Sequence, residues 1–194
     1  MFAALVASGQ GTFIYDQQSA TELSGGGSSG QIQAYQPIGQ SFTPAISSVG
    51  FIRLGFYEFS NGLGSTVYVN LRANSITGPI LGSTAPVFLP DGFGFGGSRG
   101  YTNFLFSTPI SVTPGTMYYF QPVLQSGDIT CSIVSYHYVY SGGTSYFNGI
   151  ARKSWNLWFR EGILVPEPSA LSLLIASGVL SYVGRKNNSN RTVR

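Results

Sequence analysis

Charge is what this chain has least of. Charged residues make up 9% of its 194 positions, against about 25% in an ordinary soluble domain. With 43% hydrophobic and 14% aromatic residues, that scarcity excludes intrinsic disorder, which needs many charges and few apolar groups. Cysteine is almost missing as well. Cys131 stands alone, so no intrachain disulfide is available and the domain must be held by its core. There is one histidine, His137, in the run Tyr136-His137-Tyr138-Val139-Tyr140. The acids are scattered, with none at a ligand spacing from it or from one another, so neither a metal centre nor a nucleophile–base pair can be assembled from the sequence. Helical periodicity is also lacking: no stretch before residue 166 keeps a 3.6-residue period for three turns.

The net charge misleads unless it is divided along the chain. The protein carries 10 Lys+Arg and 7 Asp+Glu, a formal +3. Four of the cations (Arg185, Lys186, Arg191, Arg194) and one acid (Glu167) lie in the last thirty residues, which leaves residues 1–165 with six of each and a net charge of zero. A nucleic-acid partner requires a cationic footprint on the folded domain, and this one has none.

What is present is a β pattern. Ile52, Leu54 and Phe56 alternate with Arg53, Gly55 and Tyr57; Val67, Val69 and Leu71 alternate with Tyr68, Asn70 and Arg72. Phe104 and Phe106 share a face. In 154–160, Trp155, Leu157 and Phe159 oppose Asn156, Trp158 and Arg160. These are period-two runs rich in β-branched and aromatic residues. Turn clusters separate them at 60–62, 90–92, 113–115, 126–128 and 141–143. Many short strands at short turn spacing predict an all-β, jelly-roll-like antiparallel β-sandwich. About 150 residues between the two ends suffice for one domain with a substantial core. The glycine- and serine-rich run Ser24–Gly30 is expected to be a surface loop.

Several motifs carry no chemistry on inspection. Gly92 to Gly97 satisfies the spacing of a dinucleotide-binding fingerprint, but a strand pattern follows where that fingerprint needs a helix N-terminus. Asp91 and Asp128 sit in turns, and two isolated carboxylates fall short of a calcium site. Cys131 has no neighbouring base and reads as a small buried residue. The sequence therefore supplies no catalytic residue, no metal ligand set and no cofactor. Aromatics offer the best case for binding, because sugar rings present apolar faces to Trp and Tyr. If strand 154–160 is half-exposed with Trp155 inward, Trp158 projects outward. Tyr136, Tyr138 and Tyr140 form a second candidate stripe for glycan stacking.

The C-terminal end is the most legible. Val165-Pro166-Glu167-Pro168 can be neither helix interior nor central strand, so it is expected to be extended and accessible. Residues 169–184 are 16 positions without a charge, enough for about 24 Å of helix. Arg185 and Lys186 follow and oppose translocation of what lies beyond them. The apolar run is shorter than the ~20 residues of a full span. Yet only serines interrupt it and no further hydrophobic element follows, which argues against a buried core helix. A permanent single-span anchor stays open. In its order of parts this segment resembles the PEP-CTERM sorting signal of envelope and exopolysaccharide-associated bacteria, with a longer polar extension, Asn187–Arg194, than such tails carry.

That resemblance implies an exosortase-type processing enzyme as partner and membrane contact through the helix before processing. It also implies residence first at the inner membrane, then in the envelope, at the surface or in the extracellular matrix. Residues 1–9 have the small and apolar residues of a signal peptide's second half without its positive start. They are either a first strand or a truncated signal peptide, and export favours the second. The middle of the chain, with Gln40-Ser41-Phe42-Thr43-Pro44, Gly78–Gly82, Val112–Phe120, Tyr140–Thr144 and Asn156–Arg160, resembles the β-sandwich ectodomains of choice-of-anchor proteins. The expected layout is a truncated signal peptide in 1–9, an ectodomain in 10–162, and a sorting signal in 163–194 with its motif at 165–168, helix at 169–184 and basic tail at 185–194. The function this implies is that of a non-catalytic surface or matrix protein associated with exopolysaccharide. The alternative is a carbohydrate-binding module that recognises one glycan through exposed aromatics.

Overall fold

The structure, a computed structural model, describes residues 11–24, 27–96 and 99–166. The first nine residues and the segments 167–168, 169–184 and 185–194 (the end of the sorting motif, the expected helix and the basic tail with Arg185 and Lys186) lie outside the described residues. Ile14–Ile163 group as one compact unit; the residues before and after it group separately.

Among the described residues there are fourteen strands and no helix, and the strands build two antiparallel sheets. The first runs β1 (Thr12–Gln18), β14 (Phe159–Val165), β4 (Ser48–Tyr57), β10 (Ser132–Tyr136), β13 (Asn156–Leu157), with β8 (Gly100–Ser111) on β4 and β2 (Ser28–Gln31) on β10. The second runs β12 (Ile150–Arg152), β11 (Ser145–Phe147), β3 (Gly39–Phe42), β9 (Tyr118–Gly127), β5 (Ser65–Ala73), β6 (Ile80–Ser83), with β7 (Val87–Leu89) on β5.

The core follows the alternation. Ile52, Leu54 and Phe56 of β4, Val67, Val69 and Leu71 of β5, and Phe104 and Phe106 of β8 meet Phe42, Phe120, Ile133, Leu157 and Phe159 in one buried cluster. An inner face of alternating apolar residues from each sheet is what two-layer packing requires. Phe42, Phe120 and Phe159 sit with ring centroids 5.2–6.4 Å apart and tilted, the arrangement aromatic quadrupoles favour.

Four expectations change. The turn expected at 126–128 falls later, because β9 runs through Gly127 and pairs Ser126 and Gly127 with Thr66 and Ser65 of β5. Residues 28–30, the end of the run expected to be a loop, belong to strand β2 and pair antiparallel with β10. The 154–160 strand is interrupted: β13 pairs with β10, β14 pairs with β4, and Trp158 marks the step between them. The outer face of the first sheet is also covered around Trp158. Residues 19–24 cross it as a strap: Ser19 Oγ donates to Leu157 O at 2.7 Å and accepts from Phe159 N at 3.0 Å. Glu22 bridges Arg53 and Arg160, each at 3.0 Å. Under this strap lies a second small core of Ala20, Val134, Tyr138 and Trp158.

Candidate functional site

The strap decides the fate of the predicted stacking residues. Trp158 does face away from the main core, as the alternation required, but it is 0% exposed. Its indole stacks on Tyr101 with centroids 4.1 Å apart, and its Nε1 donates to Thr21 O at 3.1 Å. A sugar cannot reach it, so the reading of Trp158 as a platform is corrected. Tyr138 is buried too; Arg99 Nη1 donates to its hydroxyl at 3.1 Å. Tyr140 packs edge-on against Phe159 at 5.1 Å, and its hydroxyl accepts from Thr43 N at 3.3 Å. Tyr136 and Tyr138 meet edge to face at 5.8 Å, but Tyr138 is buried and Tyr140 packs on the main core, so the three form no exposed stripe. Tyr136 is the exposed one, at 38%.

Tyr136 leads to the site the structure does contain. Its ring lies 6.3 Å from that of Trp155, and the His137 ring lies 4.3 Å from the same indole. His137 Nδ1 donates to Ser154 O at 2.6 Å, which fixes the ring against the turn before β13 and fixes its tautomer. Trp155 in turn lines an open pocket of about 260 Å³. Tyr35 and Phe147, set edge to face at 5.6 Å, supply its other aromatic surfaces. Ser28 and Ser135, opposite each other across β2 and β10, and Ser29 form its polar side, and Arg152 supplies the charge. The lining contains no carboxylate and no cysteine.

The pocket is built where one edge of each sheet meets the other. β2 and β10 bring the serines; the β11–β12 hairpin brings Phe147 and Arg152. That hairpin closes through Asn148 (φ 53°) and Gly149 (φ 73°), with Phe147 opposite Ile150. Two successive positive φ values make the tight turn whose twist matches the strands, and Asn-Gly is the pair that adopts it most readily. Gly30 of β2 allows the close fit: a Cβ there would lie 2.4 Å from Phe147 Cε1. Backbone bonds hold Trp155 in place, its N donating to Arg152 O at 2.8 Å and its O accepting from Ser145 Oγ at 3.0 Å.

The turn at 148–149 was the sequence signal for this site. Asn-Gly between Phe147 and Ile150 is a hairpin signature, and it predicts that Phe147 and Arg152 sit on one short ribbon. Nothing local in the sequence places Tyr35 or Ser28 beside them.

Two carboxyl clusters lie elsewhere and are interior. Glu161 is 0% exposed, and neither of its oxygens receives a hydrogen bond. Burial, then the Asp16 carboxylate beside it, push its pKa up to about 9. Asp16 itself accepts from Ala45 N at 2.7 Å. In the other cluster Glu58 Oε1 accepts from Ser65 Oγ at 2.9 Å while Oε2 has no partner, and burial raises its pKa. The Cys131 thiol, buried beside Glu58, is pushed up strongly for the same reason.

Asp91 and Asp128, which looked isolated, converge on one turn. Asp91 Oδ1 accepts from Asn61 N and Gly62 N, and Asp128 Oδ2 accepts from Asn61 Nδ2 at 2.7 Å. One oxygen of each holds that turn, Asp128 Oδ1 also accepts from Thr130 N at 2.8 Å, and among the described residues no group of three His, Cys, Asp or Glu is placed to hold a metal ion. The glycine run 92–96 is a turn ahead of strand β8, as its sequence context indicated.

No protein-family model matches this chain, and no curated protein sequence matches it.

Proposed function

We propose that the chain is an exported, non-catalytic protein of the cell surface or extracellular matrix, with a jelly-roll-like ectodomain and a C-terminal sorting signal. The observation that carries this reading is the order of parts at the C-terminus. In sequence, Val165-Pro166-Glu167-Pro168 is followed by a charge-free apolar run at 169–184 and then by Arg185-Lys186, the order in which a recognition segment, a membrane-entering stretch and a stop-transfer pair would stand. In this reading an exosortase-type membrane enzyme is the processing partner, the helix holds the chain in the inner membrane until then, and the mature domain ends up among exopolysaccharide. The domain's zero net charge fits a neutral surface module and offers no footprint to nucleic acid. Mass spectrometry of the protein from the envelope and medium of its native host tests the reading: the mature form is expected to lack the helix and the basic tail. Intact Arg194 throughout the exported protein would refute it in favour of a plain anchor.

A second reading, a carbohydrate-binding module, is favoured by the Tyr35–Phe147–Trp155 pocket. Aromatic faces, serines and a cation with no acidic partner among the described residues, around an open cleft, suit a sugar ring better than they suit a reaction. The pocket takes over the role the sequence assigned to Trp158 and the tyrosine stripe.

A further inference from the structure

We infer that the pocket binds an acidic sugar, a uronic acid unit of a polysaccharide, with the ring against Trp155 and the carboxylate on Arg152. The inference rests on the carbohydrate-binding reading and adds to it the chemical class of the ligand.

Size comes first. At about 260 Å³ and open to solvent, the pocket falls just below the ~300–1,000 Å³ that hold drug-sized molecules. It suits one ring of a chain that continues past it on both sides. The aromatic walls come next. The face of an aromatic ring carries partial negative charge, and the C–H groups on one side of a pyranose ring carry partial positive charge, so the two attract as well as shed water. Trp155 is braced from behind by His137 and Tyr136, so its indole is held rather than free to collapse into the cleft.

The hydroxyls narrow the ligand to something polar. Ser135, only 2% exposed, lines the pocket opposite Ser28 across β10 and β2, so the wall facing the aromatics is polar.

Charge then selects the class. Arg152 is exposed and, among the described residues, has no acidic partner; the ion pairs there both use Glu22, on Arg53 and Arg160. Lys153 follows it, also exposed. A planar guanidinium with its donors free matches a carboxylate with two parallel bonds. No acid in the lining opposes an anion there. A nucleotide strand also offers rings and negative charge. Its affinity, however, comes from many phosphate contacts, and a domain of zero net charge with a single cation in the cleft does not supply them.

The test is calorimetric titration of the full chain with a free-acid oligogalacturonate and with the same oligosaccharide methyl-esterified, which keeps the ring and removes the charge. The free acid is expected to bind at least about tenfold more tightly, and added salt is expected to narrow that gap. Arg152→Gln, on an exposed side chain, should bring free-acid affinity down to that of the ester. Trp155→Ala should abolish binding of both, with thermal unfolding of the variant confirming that it is folded; Tyr35→Ala gives a second removal of a wall if it is not. Equal affinity for acid and ester would overturn the acidic class and leave the carbohydrate-binding reading standing. Failure to bind either oligosaccharide, or any of a panel of neutral polysaccharides, would overturn both. Binding of a single-stranded oligonucleotide as tightly as the free acid would assign the pocket to a different ligand.

Discussion

Replacing Glu161 by Gln should make the protein more stable at neutral and alkaline pH, and leave it little changed in acid. Glu161 is fully buried on β14, paired across the sheet with Ile52, and neither carboxyl oxygen receives a hydrogen bond. The neutral acid can donate to the Asp16 carboxylate next to it; the carboxylate can only repel it. Hence the pKa is raised to about 9 from the usual 4.5. A folded-state pKa above the unfolded one means that the folded state holds a proton the unfolded state releases. The associated stability is complete below about pH 4.5, falls as pH rises through the window to about 9, and changes no further beyond it. Within the window the loss is about 1.4 kcal/mol per pH unit, on the order of 6 kcal/mol across the whole of it. That is comparable with the ~5–15 kcal/mol net stability of a typical domain. Gln keeps the shape and the N–H donor for Asp16 and cannot ionise. The assay is guanidinium unfolding of the native protein and Glu161→Gln at pH 5, 7 and 9. The two curves should nearly coincide at pH 5 and separate by several kcal/mol at pH 9. A separation that does not grow with pH would show that Glu161 is ionised in the folded state and would refute the argument.

Two further outcomes follow from burial. Trp158→Ala should destabilise the domain by about 3–5 kcal/mol, because it empties the second core and removes the bond to Thr21; a loss under 1 kcal/mol in chemical denaturation would mean that the strap does not seal that face. Cys131 should resist a thiol-specific disulfide reagent in the native protein and react promptly once guanidinium unfolds it, since burial pushes its pKa up and the thiolate is the reacting form; rapid modification of the folded protein would contradict the packing around Glu58.

The inner faces of β4, β5 and β8 were legible because alternation is a local property: Ile52, Leu54 and Phe56 point one way whatever the rest of the chain does. Turn residues are local in the same way at 90–92 and 113–115, and Asn148-Gly149 carries the same kind of signal, whereas Ser126 and Gly127 were drawn into β9 by pairing with β5. Local alternation also placed Trp158 opposite Leu157 and Phe159. Whether the opposite face was wet was a different question, and it was answered by residues 19–24, about 140 positions away, which cross the sheet and bond to Leu157, Trp158 and Phe159.

The same division runs through the sites. Sequence alone determines the scarcity of charge, the sheet-forming period, the order of proline triplet, charge-free run and basic pair at the C-terminal end, and the neutral balance of residues 1–165, since each depends on residue type and spacing along the chain. Only the tertiary structure brings Ser28, Tyr35, Ser135, Phe147, Arg152 and Trp155 around one cleft, and sets Asp16 against Glu161. Antiparallel pairing joins residues distant in sequence, so which side chains share a pocket, and which carboxyl is denied a partner, depends on strand order and register. No periodicity in the chain encodes either.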